Sequence, residues 1–225
     1  FWDEFAPAIQ TAAEGVGKPN FFAFGEVFSG NEQLLSFYTT SGEVQAVLDF
    51  KFQEQVGGYV ASGGSAKNMQ GMFVNDDYFT DEDSNVYALP TFLGNHDRGR
   101  FGYFLKNGRP GASDADNVAL MELGHALMYF ARGVPVVYYG DEQGFVGAGG
   151  DKDARQDMMP SQVAEYNAQD LIGTSATTAD SNFDATPPLY LAFTDLATVR
   201  AAHKALRDGA QIDRFAPDGP GVYAF

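Results

Sequence analysis

The sequence predicts an α/β fold that is part of a (β/α)8 TIM barrel, and three observations point there. Four short apolar runs, residues 21–25, 46–50, 90–94 and 134–139, are continuous rather than alternating, as in parallel strands covered on both faces. Helical patterns separate the runs, and strand–helix alternation means a parallel sheet with right-handed crossovers. Polar residues follow two of the runs, Glu26 after the first and His96-Asp97 after the third. Barrels carry their active sites at that end of their strands. A dinucleotide-binding sheet would show the same alternation, but no Gly-x-Gly-x-x-Gly follows any run. A barrel needs eight strands in roughly 250 residues, and four runs are present, so half of a barrel is expected.

The elements follow in order. Phe1, Phe5, Ile9 and Ala12 share a face of an opening helix that ends at Gly15, Gly17 and Pro19. The glycine pairs Gly57-Gly58 and Gly63-Gly64 predict a flexible loop near the site, with no phosphate-cradle spacing. The acidic stretch of Asp76, Asp77, Asp81, Glu82 and Asp83 reads as a solvated loop. A helix over 117–132 has Leu120, Leu123, Leu127 and Ala131 on one face, Asp114 and Asp116 near its start and Gly133 past its end. A further helix spans 195–208, with Leu196, Val199, His203 and Leu206. His125 and His203 are read as core or boundary histidines. From about Ala210 the pattern changes, and Gly219-Pro220-Gly221 turns the chain into a strand ending at Phe225. Residues 1–209 are therefore assigned to the barrel and 210–225 to the start of a C-terminal β domain.

Composition narrows the partners. A formal charge of −16 repels phosphate and argues against nucleic acid. No apolar run approaches the ~20 residues that cross a bilayer, so no membrane span is expected. Aromatic residues make up 14% of the chain, which suits sugar binding by ring stacking, although most single rings are expected in the core. There is no Cys, so disulfides and thiolate metal sites are excluded. Asp151, Asp153 and Asp157 begin like a calcium loop, but Gln162 stands where an EF-hand needs Glu. The chain has no initiator Met and no targeting signal at its start, and both ends read as cut from something longer.

Two segments carry the chemistry. Phe21-Phe22-Ala23-Phe24-Gly25-Glu26-Val27-Phe28 delivers a carboxylate from an apolar strand, and Leu89-Pro90-Thr91-Phe92-Leu93-Gly94-Asn95-His96-Asp97 ends a second strand in a polar cluster. The first resembles the fifth-strand segment of the α-amylase superfamily, family 13 of the glycoside hydrolases, and the second resembles its seventh. Gly133-Val134-Pro135-Val136-Val137-Tyr138-Tyr139-Gly140-Asp141-Glu142 is similar to the family's eighth strand and loop. Asp153-x-Arg155 followed by Met158 resembles a further stretch, with Pro160 where an aromatic is often seen. These segments occur in family order.

The resemblance implies strands five to eight of the barrel with their helices. It implies Glu26 as general acid/base, Asp97 as transition-state stabiliser, and His96 and Phe28 as substrate-binding residues. Retaining hydrolysis pairs a nucleophile with an acid/base about 5 Å away. The acid must stay protonated until used, through burial or nearby anions, and a place on an apolar strand close to other carboxylates meets that requirement. The family's nucleophile, an Asp in a Gly-x-Arg-x-Asp context, is absent from these residues. It is expected upstream of Phe1, with the first four strands, an inserted small domain and that domain's calcium ligands. No cofactor or metal is expected within this chain. The expectation is a fragment of a retaining α-glucan hydrolase that cleaves α-1,4-glucosidic bonds and is inactive alone. Its partners would be an α-glucan or malto-oligosaccharide and the missing N-terminal half-barrel, and its place secreted or periplasmic. The alternatives are a transglycosylase of the same superfamily and a non-enzymatic amylase-like binding or assembly domain.

Overall fold

A computed structural model describes residues 1–225 and alternates four short strands with nine α-helices. Helix α1 (Trp2–Gly15) carries Asp3 and Glu4 in its first turn, where acids favour the positive helix end. Helix α2 (Glu32–Thr40) starts at Asn31, whose side chain accepts from the Leu34 amide. Helix α3 (Phe50–Ser62) is capped by Asp49 through the Phe52 amide and ends at Gly63, whose φ of 66° suits glycine. Helices α4 (Ala66–Phe73), α5 (Phe101–Gly108) and α6 (Asp114–Phe130) follow, the last opened by a Ser113–Asp116 capping box. The chain closes with α7 (Ala164–Asn167), α8 (Pro188–Ala202) and α9 (Ala205–Asp208).

Strand β1 (Phe24–Gly25) pairs in parallel with β2 (Ala46–Val47), and β3 (Pro90–Thr91) pairs in parallel with β4 (Val134–Pro135). The pairs meet at one parallel bridge between Asp49 and Thr91, where the Asp49 amide donates to the Pro90 carbonyl at 3.0 Å. Both inner strands are buried, whereas Phe24 on β1 is 53% exposed and Val134 on β4 is 44% exposed. The core lies between the inner strands and the helices, built from Phe52, Val56, Met69, Phe101, Met121 and Phe193. A smaller cluster, including Leu35, Val47, Phe79 and Leu89, packs under α2.

Regular pairing covers two residues of each apolar run, not the whole run. In the second run Asp49 caps α3, so Phe50 is already helical. In the first, the Ala23 amide donates to the Gln45 side chain instead of a ladder carbonyl. Gly57 and Gly58 lie inside α3 rather than in a loop. Packing of α3 against its neighbours outweighs the roughly 1 kcal/mol that a helical glycine costs. The helix expected over 195–208 starts earlier and breaks. Pro188 occupies the first turn of α8, where its missing N–H costs nothing, and His203 leaves helical geometry at φ −115°, ψ 103°. His203 is consequently exposed rather than at a core boundary. The terminal segment forms a single antiparallel bridge between Phe215 and Ala224, not a regular strand.

Asp76 also departs from the solvated-loop reading. It lies in a 3-10 turn and accepts from Arg132 Nε and Nη2 at 2.8–3.1 Å, while Arg132 Nη1 donates to Asp49. Burial lifts the Asp76 carboxyl above the usual range despite the pull of Arg132. Asp49 thus serves at once as helix cap, sheet joint and counter-ion.

Candidate active site

The third apolar run ends in a tight turn. Asn95 and Gly99 exchange backbone hydrogen bonds at 3.1 and 3.0 Å, and Asn95 Oδ1 accepts from the amides of Asp97 (3.1 Å) and Arg98 (2.7 Å). This side chain-to-backbone turn lifts His96 and Asp97 out of the strand. Asp97 is half-buried and His96 exposed. His96 Nε2 lies 3.3 Å from Asp97 Oδ2, and Arg155 Nη2 lies 3.3 Å from Asp97 Oδ1. Arg155 also donates to Asp151 Oδ1 at 2.9 Å. These pairs are solvent-exposed, so they orient the carboxylate more than they stabilise the fold.

Phe28 stands beside this turn. Its ring centroid is 4.7 Å from that of Phe50, which is 5.1 Å from that of Phe92. The Arg98 guanidinium sits 5.8 Å from the Phe28 centroid. Arg98 Nε donates to Gln53 Oε1 at 3.1 Å, and Gln53 Nε2 donates to the Leu93 carbonyl at 3.3 Å. The structure therefore links Phe28, His96 and Asp97 through Arg98, leaving the Phe28 ring 57% exposed.

Glu26, two residues before Phe28, is exposed. Its expected burial is absent because β1 has no neighbour along its outer edge. Glu26 lines a mainly apolar groove of about 370 Å³ between α1 and the β1–β2 pair, with Trp2, Phe5, Ile9, Val27 and Tyr38. A larger polar cavity of about 480 Å³, with Lys106, Arg109 and Asn117, lies at the far end of α5 from the Asp97 turn. It holds none of the expected site residues.

Sequence reasoning missed Gln53 and Arg98 and placed Arg155 only by resemblance. It also missed a buried cluster below the turn. Arg100 is fully buried and donates from Nη1 to the Tyr139 carbonyl (2.6 Å) and Asp141 Oδ1 (3.3 Å), and from Nε to Gln156. Asp141 Oδ2 is 3.9 Å from His125 Nε2, which has no hydrogen-bond partner. His125 Nδ1 lies 2.9 Å from the Met121 carbonyl. A carbonyl only accepts, so Nδ1 carries the hydrogen and Nε2 of the neutral ring is bare.

Burial holds His125 down to about 4. Burial also pushes Asp141 up to about 7, with Arg100 opposing and Glu142 adding to the rise. From about pH 4 to 6.5 the folded pair keeps one proton, on Asp141, and the unfolded pair keeps one, on histidine. Folding through this pair then neither takes up nor releases a proton. Removing one partner should expose the other's pH dependence in urea midpoints of the full-length protein. In Asp141→Asn the depressed His125 remains, so stability should fall as pH drops from 6.5 toward about 4. In His125→Gln the raised Asp141 remains, so stability should fall as pH rises from 3.8 toward about 7. A flat profile in both variants would refute this proton balance.

No group of three or more His, Asp or Glu side chains converges in a way that could hold a metal ion.

Comparison with known proteins adds family evidence. The family model described as "Alpha amylase, catalytic domain" matches residues 1–209. An alpha-amylase of Streptomyces lividans is 46% identical over 225 residues, which is 100% of this chain and 24% of that protein. A cyclomaltodextrin glucanotransferase of Niallia circulans is 32% identical over 182 residues, 72% of this chain and 21% of that protein. The crystal structure of an Anoxybacillus alpha-amylase superposes with a TM-score of 0.72 at 25% identity, covering 96% of this chain and 40% of that one. The chain thus spans about a quarter of the length of the Streptomyces relative.

Proposed function

From the premise that this chain belongs to the alpha-amylase catalytic-domain family, we propose that its parent protein is a retaining α-glucan hydrolase cleaving α-1,4-glucosidic bonds. Strands β1 to β4 stand for the fifth to eighth strands of the barrel, and the exposed edges at Phe24 and Val134 receive the other half. Residues 210–225 begin a C-terminal β domain. The bridge from Phe215 to Ala224 and the stacking of Tyr223 on Phe73 at 6.1 Å support a segment that leaves the barrel yet rests on α4.

One observation carries the catalytic reading. Asp97 presents a half-exposed carboxylate at a strand end, with His96 on one oxygen, Arg155 on the other and the open Phe28 ring alongside. Asp97 favours the oxocarbenium-like charge that develops at the reacting carbon. His96 binds a sugar hydroxyl, and Phe28 packs on a pyranose face. Glu26 protonates the leaving oxygen and then takes a proton from water. Closure of the barrel over the open side of β1 removes Glu26 from solvent and supplies the nucleophilic Asp. The calcium that the family resemblance implies is held by residues outside this chain, and the protein is exported or periplasmic.

Asp97→Asn in the full-length protein tests the reading, and normal turnover of a malto-oligosaccharide by that variant would end it. This chain purified alone should release no reducing sugar from a malto-oligosaccharide. Reproducible release would mean that an acid within 1–225 serves as nucleophile.

The similarity to a cyclomaltodextrin glucanotransferase supports a second reading, transfer of the glucosyl group to a sugar hydroxyl instead of water. Cyclic or elongated products from a linear oligosaccharide would favour it. Retention of both Glu26 and Asp97 weighs against a non-enzymatic assembly domain.

A further inference from the structure

We propose that Arg100 is a positioning residue for Asp97, held in place from below by the Asp141 carboxylate. This inference rests on the role given above to Asp97.

Arg100 is the residue at which the Asp97 turn ends and α5 begins. Its side chain is fully buried and runs beneath the loops that follow β3 and β4. One nitrogen holds the Tyr139 carbonyl and Asp141, and another holds Gln156. The guanidinium lies 4.5 to 5.0 Å from the ring centroids of Tyr138, Tyr139 and Phe145. Gln156 adjoins Arg155, whose guanidinium reaches Asp97 Oδ1. Arg100 therefore fixes Asp97 from two sides: through the backbone of its own turn, and through the loop that aims Arg155.

Burying a guanidinium is costly unless it is paired and hydrogen-bonded. Asp141 meets that need while ionised. It faces Arg100 from the start of α5, His125 from α6 and its own neighbours Glu142 and Tyr138. From α8 the Phe193 ring stacks on His125 at 3.9 Å. Arg100 Nη2 and His125 Nε2 are both buried without partners. A proton on Asp141 can be donated to bare His125 Nε2, which turns the carboxyl away from Arg100. The hold on the Asp97 turn then weakens, so the cluster couples Asp97 to pH although none of its members touches substrate.

The test uses the full-length protein at pH 7.5 with a malto-oligosaccharide. Arg100→Lys keeps the charge and loses the planar fork; Asp141→Asn keeps the shape and an acceptor oxygen for Arg100. Each should lower kcat about 10- to 100-fold, the scale of a small misplacement in the site, with KM changed less than about threefold. The wild-type kcat profile should inflect as Asp141 titrates, and Asp141→Asn should lack that inflection because its carboxamide never ionises. Wild-type kcat in both variants, a kcat–pH profile in Asp141→Asn unchanged from wild type, or failure of both variants to fold would each overturn the proposal. The last would make Arg100 an ordinary core residue. Asp97→Asn serves as the control. If it remains active, the catalytic reading fails; if it is dead while both Arg100→Lys and Asp141→Asn are normal, only this inference fails.

Discussion

Glu26→Gln in the full-length protein should lower kcat on a malto-oligosaccharide by about 10²- to 10⁴-fold, the range that positioned general acid–base groups contribute. Gln fills the same space but cannot deliver a proton to the glycosidic oxygen. The loss should shrink on an aryl glycoside, whose leaving group departs without protonation, while water attack on the glycosyl-enzyme stays slow. KM should change little, because the lost interaction belongs to the transition state. Glu26 is open to solvent at the edge of β1 in this chain, so its environment depends on what packs against that edge. Near-normal turnover by the variant would remove Glu26 from the acid/base role.

Arg132→Met should destabilise the fold by about 3–5 kcal/mol, the usual cost of stranding buried charge. Two carboxylates lose their partner: Asp49, 2% exposed at its side chain, and Asp76, 17% exposed. The damage spreads further because Asp49 also caps α3 and bridges to Thr91. The deficit, measured by urea unfolding, should narrow as pH falls. Unpaired buried acids bind protons more readily folded than unfolded, so acid returns stability to the variant. The triple change Arg132→Met, Asp49→Asn, Asp76→Asn should recover part of the loss. A deficit below about 1 kcal/mol for the single variant would show that the three groups are not coupled as drawn.

The legible and hidden parts of this molecule divide by the range of the forces involved. The runs around Ala46–Val47 and Pro90–Thr91 were readable because a strand covered on both faces must be apolar throughout. The start of α6 is legible from its acids, but its buried face is Met121, Gly124, His125 and Met128 rather than the leucines, and Leu123 is 44% exposed. Gly57 and Gly58 misled because their helical state comes from packing, not from local preference. Asp76 looked solvated because its partner Arg132 lies 56 positions away. The site shows the same division. Glu26 directly follows an apolar run and Asp97 lies three positions past another, which is what marks them as candidates along the chain. Arg155 reaches Asp97 across 58 positions and Gln53 reaches Arg98 across 45, so no window along the chain could have joined them.

The turn that carries Asp97 lies very close to the loop after β4. A side chain in place of Gly99 would begin 2.8 Å from the Gly149 carbonyl, and one in place of Gly150 would begin 2.8 Å from the Asp97 carbonyl. The Asp151 amide donates to that same Asp97 carbonyl at 3.4 Å. The two stretches, residues 95–99 and 147–156, are two halves of one interlocked part. A chimera with a relative should therefore take both stretches from the same parent. A chimera that takes only one half would set foreign bulk against a seam made for bare backbone and would displace the Asp97 turn.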